Sequence, residues 1–333
     1  MRRPEFWDTP KRGWQTYLLS PAAALYGLGR MAHVACVSSG RVPVPMICVG
    51  NVTAGGAGKT PVALDLGARL QRRGHVTHFL SRGYGGRLPG PVRVMPNDHA
   101  AADVGDEPLL LAEVAPTWVA ADRLAGARRA ASEGAEVIVM DDGFQNPRLV
   151  KDLSLLVFDG AAGLGNGALL PAGPLRETLD GALRRAQAAV LMGEDHHHLI
   201  ERIGSHLPVF QASVIPNRPA PGNMDRVVAF AGIARPRKFF DTLEAAGYQI
   251  ADTASFPDHH PYSDTDLADL RTRAARLDAG LITTQKDLVR LSGSDRDGVS
   301  TLGVTLKWVD ETGLDLFVET GLAEARQDGS SGA

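Results

Sequence analysis

Gly50-Asn51-Val52-Thr53-Ala54-Gly55-Gly56-Ala57-Gly58-Lys59-Thr60 constrains this chain more than any other stretch. The apolar run Met46-Ile47-Cys48-Val49 precedes it and reads as a buried strand. Pro61-Val62-Ala63-Leu64, with Leu66 and Leu70, follows and reads as a helix. A proline suits the first helical turn, where its missing N–H has no intrahelical partner to lose. Strand, glycine-rich loop, Gly-Lys-Thr and helix, in that order, make a phosphate-binding loop. Glycines let backbone N–H groups turn inward onto phosphate oxygens, and the helix N-terminus adds partial positive charge. Thr53, Ala54, Gly55, Gly56, Ala57, Gly58, Lys59 and Thr60 are therefore the expected nucleotide cradle. Lys59 is expected at the β- and γ-phosphates and Thr60 at Mg²⁺. The general pattern G-x-x-x-x-G-K-[ST] has glycine where this chain has Thr53. A glycine turn that carries a lysine by chance is the alternative, and both flanks weigh against it.

The length of 333 residues allows two domains of ordinary size, and 44% hydrophobic residues can bury a large core. A formal net charge of -3 does not suggest a surface for nucleic acid, although a local basic patch is not excluded. The 2 cysteines, Cys36 and Cys48, imply no disulfide framework. No secretory signal is evident, because charged residues precede the first apolar run. That run, Leu18 to Leu28, is shorter than the roughly 20 residues needed to span a bilayer. Leu18, Ala22, Leu25, Leu28 and Ala32 recur at helical spacing, with Trp14, Tyr17 and Tyr26 and basic flanks. A helix lying in a membrane surface and a helix packed on the protein's own core both fit this pattern.

Further strands are expected around Gly74–Leu80, Val92–Met95, Thr117–Ala120, Glu136–Met140, Leu153–Phe158 and Ala188–Met192, alternating with helices. Such alternation predicts a mostly parallel sheet covered by helices on both faces, with ligands at the carboxyl ends of the strands. The loops that fall at those ends carry the chemistry-bearing residues. Ser81-Arg82-Gly83-Tyr84-Gly85-Gly86 offers glycines and a guanidinium to an anion, or is a plain polar turn. Asp106 and Glu107 precede Pro108, as helix caps or as a base and a metal ligand. Asp141 and Asp142 end an apolar strand, as Mg²⁺-supporting acids do downstream of a phosphate loop. A long glycine-rich segment leads to Pro174-Leu175-Arg176-Glu177. His196-His197-His198 reads as an exposed helix start rather than a metal site, because adjacent helical residues face different ways.

Pro216, Pro219 and Pro221 cluster between Ile215 and Asn223 and suggest a hinge. The expected layout is an N-terminal helix region (1–38), a phosphate-loop domain (39–215) and a smaller α/β domain (216–327). The Ser/Gly-rich tail after Asp328 is expected to fray. In the smaller domain Gln285-Lys286-Asp287 is expected to be a polar loop after a strand.

Three classes of phosphate-loop protein compete. A GTPase should show N-K-x-D, and Gln285-Lys286-Asp287 misses in residue and spacing. A partitioning or nitrogenase-type ATPase should show a signature lysine where this chain has Ala54. The third class is a kinase acting on a small molecule or lipid. Here a specific resemblance appears. Residues 49–61, Ser81-Arg82-Gly83-Tyr84-Gly85, Gly105-Asp106-Glu107-Pro108, Asp141-Asp142-Gly143-Phe144-Gln145 and Pro171–Glu177 resemble the tetraacyldisaccharide 4'-kinases of lipid A synthesis. So do Ala231–Pro236, Phe256-Pro257-Asp258-His259 and Thr284–Asp287, in the same order. Thr53 is ordinary in that family, and Gln285 stands where glutamate is common.

The resemblance implies ATP- and Mg²⁺-dependent phosphorylation of the 4'-hydroxyl of an acylated glucosamine disaccharide 1-phosphate. It implies a peripheral enzyme on the cytoplasmic face of the inner membrane, with the lipid and the membrane surface as partners. It makes Asp106 the base, paired with His259. Lys59 and Thr60 then serve the phosphates and metal, and Asp141 and Asp142 support the metal. Asn51, Arg82, Arg123 and Arg176 are candidates for substrate or transition-state charge. A non-enzymatic nucleotide switch or assembly ATPase is the alternative class. Phosphate appearing on an added lipid disaccharide, rather than as inorganic phosphate, separates the two.

Overall fold

Runs of Val, Ile and Leu without polar alternation need cover on both faces, which only a strand inside a helix-flanked parallel sheet receives. The computed structural model describes residues 4–217 and 226–330. Its first part runs α1 (Trp14–Cys36), β1 (Met46–Gly50), α2 (Lys59–Arg72), β2 (Thr77–Ser81), β3 (Val92–Arg93), α3 (Ala101–Val104) and α4 (Asp106–Ala112). Next come β4 (Thr117–Val119), α5 (Arg123–Ser132), β5 (Val137–Asp141), β6 (Leu153–Asp159), α6 (Leu179–Leu183), β7 (Ala188–Met192), α7 (Leu199–Gly204) and β8 (Val209–Pro216). After residue 225 come β9 (Arg226–Ala231), α8 (Pro236–Ala245), β10 (Gln249–Ser255), α9 (Asp264–Arg276), β11 (Gly280–Thr284) and α10 (Gln285–Leu288). The chain closes with β12 (Val299–Leu302), β13 (Val304–Trp308) and α11 (Glu311–Ser330).

The larger sheet has nine strands in the order β13-β8-β7-β6-β1-β5-β2-β4-β3. Its core strands are parallel, and only β3 and β13, at the two edges, run antiparallel. Every residue of β1, β2, β5, β6 and β7 is buried, including the polar Thr77, His78 and Ser81 of β2. The α/β architecture expected from the alternation of elements is present. The chain moves from β1 to β2 on one side of the sheet and later returns to β6 on the other. The end of β1 is therefore the switch point where a ligand crevice opens.

A second sheet, β10-β9-β11-β12, is wholly parallel. Its two cores gather Phe239, Phe240 and Leu243 of α8 on one face and Leu267 and Leu270 of α9 on the other. Ser263 caps α9 through its hydroxyl, with Asp266 answering onto the Ser263 N–H.

Three expectations need correction. Residues 304–330 do not belong with the smaller unit. Val304–Trp308 pair with β8, and Trp308, Leu314, Val318 and Leu322 fill the core between α2 and the larger sheet. Burial of three such aliphatic side chains is worth about 1.5–3 kcal/mol each, enough to draw this segment back. Ile215 and Pro216 are not linker, since they end β8 opposite Thr305 and Val304. Pro219 and Pro221 of the expected hinge lie outside the described residues. Finally, α11 runs on to Ser330, through the stretch whose composition suggests fraying.

In α1, only Thr16 and Ala23 are buried along 23 residues. Trp14, Tyr17, Leu18, Leu25, Leu28 and Met31 are all exposed. No helix among the described residues is long and apolar enough to cross a membrane.

Candidate active site

At the end of β1 the backbone must turn sharply before α2 begins. Gly58, the residue before Lys59, takes φ 88°, a left-handed conformation that disfavours any side chain. A Cβ there would also meet Met192 Cγ at 3.3 Å. Position 53 carries no such demand. Thr53 bridges Leu175, Ala54 N donates to Pro174 O at 2.7 Å, and Arg176 N donates to Val52 O at 2.8 Å. The loop is thus stitched to residues 174–176 through its backbone. Asn51 is fully buried and donates Nδ2 to Thr53 O at 2.7 Å. It braces the loop from beneath, while its buried Oδ1 has no hydrogen-bond partner.

Beside this loop, β5 delivers two carboxylates. Thr60 Oγ1 donates to Asp141 Oδ2 at 2.9 Å, while the buried Asp141 Oδ1 has no partner. Burial, and then the charge of Glu107, raises Asp141 above the usual carboxylate range. Asp142 has φ 53° and accepts from Arg176 Nη1 at 3.0 Å. Lys59 Nζ lies 3.7 Å from Asp142 Oδ1. One hydroxyl and two carboxylates, with a buried oxygen left unsatisfied, suit a hard divalent cation. The structure thus brings Lys59, Thr60, Asp141, Asp142 and Arg176 together.

The other two arginines part company. Arg82 is exposed. Arg123 is turned inward and donates Nη1 to Ala120 O at 2.9 Å and Ala121 O at 3.0 Å. Burial, and then the Arg82 charge, pushes Arg123 down to about 10. Its Nη1 bonds hold a turn at the edge of the site, while its buried Nε has no hydrogen-bond partner. The glycines near Arg82 serve packing: a Cβ at Gly86 would lie 2.6 Å from Asp103 O.

Across the cleft, Asp106 opens α4 and is 3% exposed. Its Oδ2 accepts from His259 Nδ1 at 3.0 Å, so the pair expected from sequence is in contact. The same oxygen accepts Arg290 Nε at 2.9 Å and is touched by Arg290 Nη2. Burial alone would raise Asp106, but the His259 bond and the Lys286 and Arg290 charges outweigh it, holding the carboxyl far below its usual range. Lys286 pairs with Glu107 at 3.1 Å. Burial would lower Lys286, and the charges of Glu107 and Asp106 raise it instead. Gln285-Lys286-Asp287 is helix α10, not a loop, and Gln285 is exposed there. His259 sits at φ 60°, with its N–H on Gly232 O at 3.1 Å and the Tyr84 ring 5.8 Å away. Two of the few non-glycine residues at positive φ, Asp142 and His259, are thus in this cleft. Such strain persists only where the surroundings enforce it.

A family model described as LpxK, Tetraacyldisaccharide-1-P 4'-kinase, matches residues 15–323. The chain belongs to the tetraacyldisaccharide 4'-kinase family. It is 52% identical over 320 residues to a tetraacyldisaccharide 4'-kinase of Rhodospirillum centenum, covering 95% of each chain. It is 51% identical over 324 residues to one of Gluconacetobacter diazotrophicus, covering 96% of this chain and 99% of that one. Among solved structures it resembles LpxK from Aquifex aeolicus, described as an "apo" form in complex with ATP. The TM-score is 0.75 and the identity 28%, covering 92% of this chain and 99% of that one. Its activity is accordingly 4'-phosphorylation of a tetraacyldisaccharide 1-phosphate in lipid A biosynthesis.

Sequence reading gave no role to Glu177, Gln145 or Arg290 of the kinase. Glu177 is buried and accepts from Gln145 Nε2 at 3.1 Å and Arg30 Nη2 at 2.6 Å. Glu177 and Gln145 lay within the recognised motifs, which was a usable signal. Arg290 had none.

Proposed function

We propose that the kinase transfers the γ-phosphoryl group of MgATP to the 4'-hydroxyl of an acylated glucosamine disaccharide 1-phosphate at the cytoplasmic face of the inner membrane. The observation that carries the reading is the 3.0 Å contact of His259 with Asp106, in the same cleft as the Thr60–Asp141 pair. Lys59 and the backbone N–H groups of residues 53–60 hold the phosphates. Thr60, Asp141 and Asp142 would hold Mg²⁺, which when bound spreads the negative charge of the β- and γ-phosphates. Lys59 leaves Asp142 for the migrating phosphoryl group, where its charge counts most in the transition state. Arg176 and Arg82 meet the remaining negative charge. Asp106 and His259 act as one unit that takes the hydroxyl proton as the oxygen attacks phosphorus and ADP departs. The smaller unit brings His259 to this work by closing on the larger one, so base assembly accompanies substrate capture and excludes water.

The test is direct. Purified kinase with labelled ATP and the disaccharide 1-phosphate in detergent micelles should move label onto the lipid. Label released only as inorganic phosphate would refute the reading.

Placement at a membrane rests on α1. Its exposed Trp14, Tyr17, Leu18, Leu25 and Leu28 suit an interface. Its other side is tied to the loop of Arg176 by Asn166 to Thr16 at 2.9 Å, Tyr26 to Arg176 O at 3.2 Å and Arg30 to Glu177. Replacing Leu18, Leu25 and Leu28 together by Asp should abolish sedimentation with anionic vesicles while far-UV dichroism stays unchanged. Undiminished sedimentation would assign the membrane contact elsewhere.

A further inference from the structure

Arg30 is the one lysine, arginine, aspartate or glutamate in the 23 residues of α1. On a helix that only adheres to an anionic surface, such a charge gains most by facing the headgroups. Here it faces the protein. Thr16, Ala23, Gly27 and Arg30 share one stripe of the helix, opposite the exposed Trp14, Leu18 and Leu25. Arg30 is 22% exposed and pairs with the buried Glu177 carboxylate at 2.6 Å. Glu177 does not need this partner for neutrality, because Arg185 binds the same oxygen. We propose that a lipid surface tightens MgATP binding by this kinase, with Arg30 as the positioning residue: seating α1 in the membrane fixes Arg30 on Glu177, and that constraint reaches the phosphate loop. The proposal rests on the membrane reading of α1 given above and adds a regulatory consequence to it.

Two short routes join α1 to the nucleotide cradle. In the first, Glu177 Oε1 accepts Gln145 Nε2 at 3.1 Å, and the same Nε2 donates to Asn51 O at 2.7 Å, where the phosphate loop leaves β1. In the second, Tyr26 OH donates to Arg176 O at 3.2 Å. Arg176 N donates to Val52 O at 2.8 Å, and Arg176 Nη1 holds Asp142 at 3.0 Å. The helix itself is pinned mainly at its start. Trp7 Nε1 donates to Pro171 O at 3.1 Å, and Asn166 Nδ2 donates to Thr16 Oγ1 at 2.9 Å. Arg30 lies fourteen residues beyond Thr16, about 21 Å along the axis. Only Thr16 and Ala23 are buried in α1, so little apolar packing fixes its far half on the body. What its outer face meets therefore decides how firmly Arg30 is held.

A lipid surface shifts such an equilibrium only by favouring the docked arrangement of α1 over the loose one. It needs no contact with the nucleotide. The kinase then grips MgATP best where its lipid acceptor lies, and holds it more weakly when free of the membrane. Linkage makes the effect mutual, so bound nucleotide must tighten membrane binding by the same factor.

The test uses the full-length kinase, Mg²⁺ and a non-hydrolysable ATP analogue. Binding is titrated with and without phosphatidylglycerol vesicles that contain no disaccharide lipid. For wild type the vesicles should lower the Kd of the analogue about fivefold, at the low end of ordinary coupling between sites. Sedimentation should show the analogue raising vesicle affinity by the same factor. Arg30→Gln leaves Glu177 paired with Arg185, so no buried charge is stranded. That variant should still sediment, yet bind the analogue equally with and without vesicles. Arg30→Lys should keep the response, because only one guanidinium nitrogen pairs with Glu177. Gln145→Leu cuts the first route without touching α1 and should weaken the response. Wild type that sediments with its Kd unmoved overturns the proposal, whatever the variants do. Arg30→Gln that weakens binding equally in both conditions, with the vesicle response intact, makes Arg30 merely structural and overturns it too. Wild type that fails to sediment defeats the membrane reading of α1 and the proposal with it.

Discussion

The two sides of the cleft are built on different terms. The phosphate side takes Lys59, Thr60, Asp141, Asp142 and Arg176 from loops around the end of β1, all carried by one sheet. The acceptor side takes Asp106 and Glu107 from α4, and His259, Lys286 and Arg290 from the smaller unit. A site carried by one sheet is preformed. A site shared between two sheets exists only while they touch. The contrast teaches that nucleotide binding and proton removal can fail separately, and that only the second depends on how the units meet.

The largest effect should come from Lys59→Ala, which on the proposed function removes the cation from the migrating phosphoryl group. Comparable electrostatic losses are about 3–4 kcal/mol, or more than 100-fold in kcat. Steady-state kinetics retaining above a tenth of wild-type kcat would break the assignment of the phosphate side. The acceptor side should respond as one unit. Asp106→Ala and His259→Ala should each lower kcat about 10²–10⁴-fold, with MgATP affinity unchanged. The double variant should be little worse than the poorer single one, and strictly multiplicative losses would dissolve the pair.

Stability sharpens the contrast next. Asp106 ionises far more readily when folded, so its contribution is complete above the unfolded carboxyl range near pH 4. That contribution fades as pH falls toward the folded value. Asp106→Asn should therefore melt well below wild type at pH 7, and the gap should narrow below about pH 4. A gap independent of pH would show that packing, not charge, is lost. The smallest effect concerns another bridge between the units, Arg235 to Asp159 at 2.9 Å, with Arg235 44% exposed. Water screens such a pair, so Arg235→Ala should change stability by about 0.5 kcal/mol or less in denaturant titration. A much larger loss would mean that this contact, rather than the Asp106 cluster, holds the units together.

The same division governs what could be read in advance. The strand ends, the phosphate loop and Asp141 obey local rules of spacing, so they were legible. Asp106 and His259 were legible only through the family's motifs, since nothing local links residues 153 apart. Arg290 follows Asp287 by one helical turn in a chain with 35 Lys and Arg residues, so nothing in the sequence marks it out. Asn51 and Arg123 were marked only by their place in the motifs, and nothing local shows that each also bonds backbone groups. The hinge was drawn through Ile215 and Pro216 because a proline cluster reads as linker, and no local signal announces a strand partner some 90 residues on.

That late partner has a consequence for biogenesis. A polypeptide leaving the ribosome N-terminus first can complete the smaller sheet while β8 still lacks β13 and the α2 face lacks Trp308, Leu314 and Val318. An unpaired strand edge and an uncovered apolar face invite association with other chains. The nascent kinase therefore carries a sticky flank until residues 304–322 emerge, and chaperone demand should peak in that interval of its synthesis.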